Sequence, residues 1–212
     1  SDHSQNDRMK SLDGVWKFRF SKNYQEAPQD FYKPGYSSKG WKNINVPGSW
    51  ELQGFDAPIY TDVKYPFPAN PPFVPKDYNP VGSYMHEFTI PSDWNGMDII
   101  LDFEGVESAF NCWINGEFVG YSEDSRLPAS FDVTRLLKKG KNKLAVQVFR
   151  YSDGSYLEDQ DYWKYSGIER DVYLIARPKS RVKDFEVKAT LCDDYKDGLF
   201  DLTVKMEPAN LQ

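Results

Sequence analysis

Carboxylates and aromatic rings crowd one stretch of the chain, Arg150 to Val172. Asp153, Glu158, Asp159, Asp161, Glu169 and Asp171 are interspersed there with Tyr151, Tyr156, Tyr162, Trp163 and Tyr165. A solvated acidic tail lacks large rings. Acids set among rings point instead to a concave site that needs anions, for a cation or for sugar hydroxyls. The other account is that the rings are core and the acids form a wet rim. Spacing alone weighs the two about evenly, since loops on rigid scaffolds so often carry function. Histidine-based nucleophilic chemistry has little material: His3 lies near the terminus and His86 in a strand pattern, and there is no third histidine. Cys112 alternates into a strand and reads as a small buried hydrophobe, and with Cys192 it makes neither a disulfide framework nor a metal spacing.

Strands must hold this stretch in place. Lys143–Phe149 before it and Val172–Ile175 after it both alternate with a period of two. Val15-Trp-Lys-Phe-Arg-Phe20 alternates with its rings on one face. Trp41–Val46, Ser83–Ile90, Asp98–Phe103, Ala109–Ile114 and Phe118–Tyr121 follow the same rule, and Asn115-Gly116 is a two-residue hairpin signal because both residues tolerate positive φ. Leu127–Thr134 reads as a turn and Leu136–Gly140 as a short helical piece closed by glycine. Five of the eleven residues from Tyr65 to Pro75 are proline, which forbids a central strand or helix there. Alternating aromatics favour an extended loop clamped to the body over a free polyproline ligand. Strands at this spacing with almost no helix mean a sandwich of antiparallel sheets. Beyond Pro178, Arg181–Leu191 and Leu199–Met206 form one more pair joined by Asp194–Gly198. A strand pair with nothing over it is marginal and exposes its edges.

Composition bounds the partners. The chain has 212 residues and a net charge of −6, the wrong sign for a nucleic-acid surface. No apolar run approaches the ~20 residues of a membrane-spanning helix. No signal-peptide pattern opens the sequence, as would hold equally for a processed precursor, so cytoplasm and periplasm both stay open. Tyr, Phe and Trp are 16% of residues, and rings build the core.

The run Ser152-Asp-Gly-Ser-Tyr-Leu-Glu-Asp-Gln-Asp161, then Trp163, Ser166-Gly-Ile168 and Arg170-Asp-Val172, closely resembles the N-terminal region of bacterial β-galactosidases of glycoside hydrolase family 2. The same likeness runs through Leu12-Asp-Gly-Val-Trp-Lys-Phe18, Asp56-Ala-Pro-Ile-Tyr-Thr-Asp-Val63, Tyr65-Pro66 and Asn70-Pro-Pro-Phe-Val-Pro75, from about Ser11 to Arg177.

The resemblance implies an all-β fold: a galactose-binding-domain-like jelly-roll β-sandwich over residues 11–178 after a loose tail at 1–10. It further implies that 179–212 is the start of an immunoglobulin-like domain left incomplete, so that the chain is a fragment. It implies β-galactoside as substrate and a barrel domain further along the chain, in a homo-oligomeric enzyme. Hydrolysis with retention needs two carboxyl groups ~5–5.5 Å apart across one bond, and acids on one short loop seldom face each other so. In the family both are barrel glutamates, so no catalytic residue is expected here and these residues alone should not hydrolyse galactosides. Asp161 matches the family aspartate that binds an active-site Na⁺ and approaches the galactose 6-hydroxyl. Mg²⁺ belongs only to the full-length enzyme, and neither ion should be held tightly here. Asp62 falls where many members have a sugar-contacting asparagine, next to Val63. Ionised Asp62 only accepts hydrogen bonds, so the bonding pattern there must differ.

The alternatives are a free-standing carbohydrate-binding module, a sister enzyme such as a glucuronidase or mannosidase, and, for Asp161 itself, a role in capping a local turn. Trp163, Gly167 and Arg170 read as structural, with ring–cation stacking invited and close backbone approach allowed. Arg126 is expected to pair with acids nearby. Trp50, Tyr60, Trp113 and Tyr121 read as core ahead of a sugar-stacking platform.

Overall fold

The computed structural model describes residues 7–158, 161–192 and 194–208. Its strands are β1 (Met9–Ser11), β2 (Gly14–Ser21), β3 (Lys42–Val46), β4 (Gly48–Ser49), β5 (Ile59–Tyr60), β6 (Val81–Thr89), β7 (Asp98–Phe103), β8 (Val106–Glu107), β9 (Ala109–Ile114), β10 (Glu117–Ser122), β11 (Ala129–Asp132), β12 (Lys141–Phe149), β13 (Trp163–Lys164), β14 (Gly167–Ile168), β15 (Val172–Arg177), β16 (Arg181–Leu191) and β17 (Gly198–Glu207). Helix is confined, among the described residues, to short 3-10 turns.

Two antiparallel sheets make the sandwich, a six-stranded one in the order β10-β9-β12-β6-β2-β3 and a four-stranded one in the order β1-β15-β7-β11. Alternation dictates which side chains enter. On β2, Trp16 and Phe18 are buried while Val15, Lys17 and Arg19 point out. Tyr84, Cys112 and Val146 of the same sheet share this core with Leu101, Phe103 and Leu174 of the other sheet. Each fully buried large side chain of this kind contributes roughly 1.5–3 kcal/mol. A smaller cluster of Phe31, Trp41, Met85 and Ala145 packs on the outer face of the six-stranded sheet, where the loop between β2 and β3 covers it.

Asn115 and Gly116 sit at φ 54° and 96°, and Glu117 pairs with Ile114, so the expected two-residue turn is present. Asn115 also explains why its side chain is needed. Its amide donates to Asn142 Oδ1 at 2.8 Å and to the Leu136 carbonyl at 2.9 Å, and its oxygen accepts from the Lys143 amide at 3.1 Å.

Three local expectations differ. The loose tail at 1–10 gives way to order from residue 7 on: β1 pairs with β15, the Ala176 amide donates to the Arg8 carbonyl at 2.8 Å, and Trp94 Nε1 donates to the Asp7 carbonyl at 3.0 Å. Residues 1–6 lie outside the described residues. Residues 129–132, read as turn, are the edge strand β11 paired to β7. The helical piece falls at Thr134–Leu136, ahead of its expected place. β1 and β11 are short strands whose pairing partners lie far along the chain, so local pattern carries little trace of them.

The β16–β17 hairpin stands by itself in the sheet topology. Arg181 fastens its root, reaching Asp98 of β7 and Glu207 of β17, each at 2.7 Å.

Candidate functional site

Segments far apart in sequence meet on one edge of the sandwich. β13 pairs with β5, setting Trp163 opposite Tyr60 and Lys164 opposite Ile59. The two rings lie 5.5 Å apart. Across this pair the Tyr60 hydroxyl donates to Asp161 Oδ1, a short bond spanning 101 residues of sequence. The bond, with Asp161's charge and that of Asp62 behind it, holds the Tyr60 phenol above its usual range. Asp161 is thereby engaged by a residue of a distant segment. Asp62 and Val63 follow Tyr60 after Thr61 and both are exposed, Val63 at 83%. The structure thus brings Asp62 and Asp161 to the same phenol and leaves Val63 beside them facing solvent. Glu158 turns inward, accepting from the Ser125 amide at 3.2 Å. Asp159 lies outside the described residues.

Two buried ion clusters fix this edge from beneath. Arg150, at the end of β12, is almost wholly buried; it bonds Asp56, donates to the Ala57 carbonyl at 2.9 Å and lies 3.7 Å from Glu51. Glu51 in turn accepts from the Ser166 amide at 3.0 Å, and burial pushes its carboxyl up despite Arg150. Residues 51–57, which lead into Tyr60 and Asp62, are thereby tied to the sheet. The second cluster centres on Arg126, at φ 70°, which lies 2.6 Å from Glu107 and 3.4 Å from Glu169. Its guanidinium stacks 4.2 Å from the ring centre of Tyr162, the neighbour of Asp161. Burial pushes Glu107 up to about 8, with the charge of Glu169 adding to the rise and Arg126 opposing it.

Arg126 does pair with acids, as its sequence implies, but with partners on β8 and the 169 segment and not with neighbouring Glu123 or Asp124. The expected ring–cation stack is made by Arg126 on Tyr162; Trp163 packs on Tyr60 instead. Gly167 fulfils its close approach, since a Cβ there would stand 2.8 Å from the Tyr84 hydroxyl and 3.2 Å from the Gly48 carbonyl. The four rings weighed as a platform are dispersed: Trp50 is fully buried, Trp113 stacks on Tyr32, and Tyr60 and Tyr121 lie on different surfaces. Nothing in the sequence flagged Glu107, which lies on a two-residue strand with both residues buried.

The proline-rich loop is clamped, as its aromatics imply. Phe67 is buried against Tyr151 and Tyr156, and the Tyr156 hydroxyl accepts from the Asn70 amide at 3.0 Å and donates to the Phe73 carbonyl at 2.7 Å.

The carboxylates at this edge are those of Asp161, which accepts from Tyr60, and exposed Asp62. Among the described residues no three His, Cys, Asp or Glu side chains converge on a metal position.

A β-sandwich presenting exposed carboxylates and rings on loops braced by buried ion pairs has the make-up of a carbohydrate-recognition domain. Comparison makes this specific. Residues 9–178 match the profile of "Glycosyl hydrolases family 2, sugar binding domain", and the chain belongs to that family. It is 49% identical over 204 residues to a β-galactosidase of Priestia megaterium, covering 94% of this chain and 20% of the relative. It is 47% identical over 200 residues to a β-galactosidase of Pectobacterium atrosepticum, covering 93% and 19%. The chain therefore spans about a fifth of the length of these relatives. Among solved structures, a β-glucuronidase of an uncultured Clostridium species superposes with a TM-score of 0.68 at 23% identity, covering 95% of this chain and 34% of that one. This likeness establishes the fold.

Proposed function

We propose that these residues form the sugar-binding N-terminal region of a β-galactosidase, an enzyme hydrolysing terminal β-D-galactosides. The observation that carries the reading is the Tyr60–Asp161 bond. It joins the two resemblance segments, 56–63 and 152–172, into one exposed edge fit to be one wall of a sugar pocket. In this reading residues 11–178 are the sugar-binding sandwich and β16–β17 begins an immunoglobulin-like domain. The pair of catalytic carboxyls comes from a barrel further along the polypeptide, in a homo-oligomeric enzyme. Asp161 supplies one oxygen to Na⁺ and the barrel supplies the rest; Mg²⁺ belongs to the full-length enzyme. Bound Na⁺ would organise sugar hydroxyls as a fixed positive charge. Asp62 and the backbone at Val63 accept hydrogen bonds from the sugar.

The test uses the full-length gene product and a nitrophenyl β-D-galactoside. Asp161→Asn should lower kcat/KM about tenfold or more and raise the Na⁺ concentration needed for half-maximal activity. An unchanged Na⁺ dependence would remove Asp161 from the site. The purified 212-residue chain should show no turnover, and turnover would overturn the division of labour.

A further inference from the structure

A groove of about 490 Å³ lies on the outer face of the six-stranded sheet, between the start of the β2–β3 loop and the proline-rich loop. That volume is within the usual range of small-molecule sites. Its floor is Asn111 of β9 and Phe149 of β12; Tyr24 and Gln25 form one wall, Phe73 and Lys76 the other, and Tyr121 and Asp153 close an end. It shares no lining residue with Asp62, Val63 or Asp161.

Five rings line it: Tyr24, Phe73, Tyr121, Phe149 and Tyr151. Tyr24 lies 6.2 Å from Phe149, and Tyr24, Phe73 and Tyr121 are all half-exposed or more. Large rings on an open surface are a cost unless something stacks on them. Between the rings stand hydrogen-bonding groups without internal partners: among the described residues no bond engages the side-chain amides of Gln25 and Asn111. At the closed end the Tyr121 hydroxyl donates to Glu123, with the charge of Asp153 also acting on it. A ligand complementary to this lining has apolar faces and a rim of hydroxyls that both donate and accept. It carries no net charge, since the groove offers one lysine against Asp153.

The walls are already fixed. Asn23 Nδ2 donates to the Asp77 carbonyl at 3.1 Å, tying the two loops together. Asn79 bonds both backbone groups of Tyr151, at 3.0 and 2.9 Å, and Tyr156 holds the Phe73 carbonyl. A ligand entering would have little ordering left to do, which favours a small weakly interacting molecule.

From the stacking rings, the unpartnered amides and the pre-set walls, we infer that this groove binds a neutral mono- or disaccharide unit. The inference stands on the groove's own chemistry and not on the role of Asp161.

The 212-residue chain, labelled with ¹⁵N, is titrated separately with methyl β-D-galactoside, methyl β-D-glucoside, methyl α-D-mannoside, lactose, sodium glucuronate and a proline- and tyrosine-containing peptide. At least one neutral sugar should shift the amides of Phe73, Asn111 and Phe149 saturably. Phe73→Ala should weaken that sugar about tenfold; this ring is exposed, so the melting temperature should hold. Gln25→Ala, a second exposed position, should weaken it as well. Three results would overturn the inference: no sugar shifting these amides, glucuronate alone doing so, or the peptide alone doing so. Shifts confined to Asp62, Val63 and Asp161 would overturn the groove while supporting the proposed wall. Shifts confined to the groove would support the inference and agree with a wall that takes up sugar only once the barrel completes it.

Discussion

Glu107 is the carboxyl whose surroundings most oppose its charge, and pH should reveal it. The folded protein holds its proton up to about pH 8, whereas the unfolded chain releases it near 4.5. Between those values the folded state binds more protons than the unfolded one, so stability falls as pH rises through the window. Below it the penalty is absent; above it the penalty is complete. Glu107→Gln keeps the shape and removes the titration, while Glu169 still faces Arg126 at 3.4 Å. Thermal melts near pH 5 and pH 8.5 should therefore show the variant gaining on the parent as pH rises. A gap independent of pH would mean that Glu107 is ionised in the folded state throughout, held by Arg126. The sequence offered Arg126 as a local ion-pairing residue but gave no reason to expect a partly neutral carboxyl beside it. Such a shift depends on burial and on Glu169, which lies 62 residues further along.

At the scale of elements, Tyr156 is the clamp of the proline-rich loop. It sits on the 3-10 turn Asp153–Tyr156, whose Ser152 and Ser155 form a reciprocal capping box. Tyr156→Phe keeps the ring contacts with Tyr65 and Phe67 and removes both hydroxyl bonds to the loop, at ~0.5–1.5 kcal/mol each. Amide exchange at Asn70 should quicken and proteolysis within 66–75 should speed up, with the global melt little changed. If exchange there is unaltered, ring packing alone holds the loop. The clamped loop itself was legible, because five prolines among alternating rings exclude a strand or helix. So was β2, from the alternation of Trp16, Phe18 and Phe20, and so was the turn at Asn115-Gly116. The site edge was legible only through likeness to a family. Tyr60 and Asp161 are 101 residues apart, and β5 and β13 are two-residue strands, too short for any periodicity. β1 and β11 escaped for the same reason, being short edges defined by the strand beside them.

For the whole molecule, the uncovered feature is the β16–β17 hairpin. Its register places Phe185 opposite Val204, Val187 opposite Leu202 and Ala189 opposite Phe200, all on one face. Lys188 opposite Asp201, and Asp184 opposite Lys205, occupy the other. Phe185, Phe200, Leu202, Val204 and Met206 are each 43–65% exposed. A contiguous apolar face of this kind is a site of association, and a hairpin with one such face gains stability only when something covers it. The 212-residue chain should therefore self-associate, with sedimentation coefficients rising with concentration. Replacing the facing pair, Phe185→Thr with Val204→Thr, keeps β-branched residues in the strands and removes the apolar centre, so association should weaken. Lys188→Thr on the charged face should leave it unchanged, because an exposed charge in high dielectric contributes little. If the double variant associates as the parent does, the contact lies on the sandwich and not on the hairpin. If Lys188→Thr weakens association equally, edge pairing between hairpins, and not burial of the apolar face, is what joins the molecules.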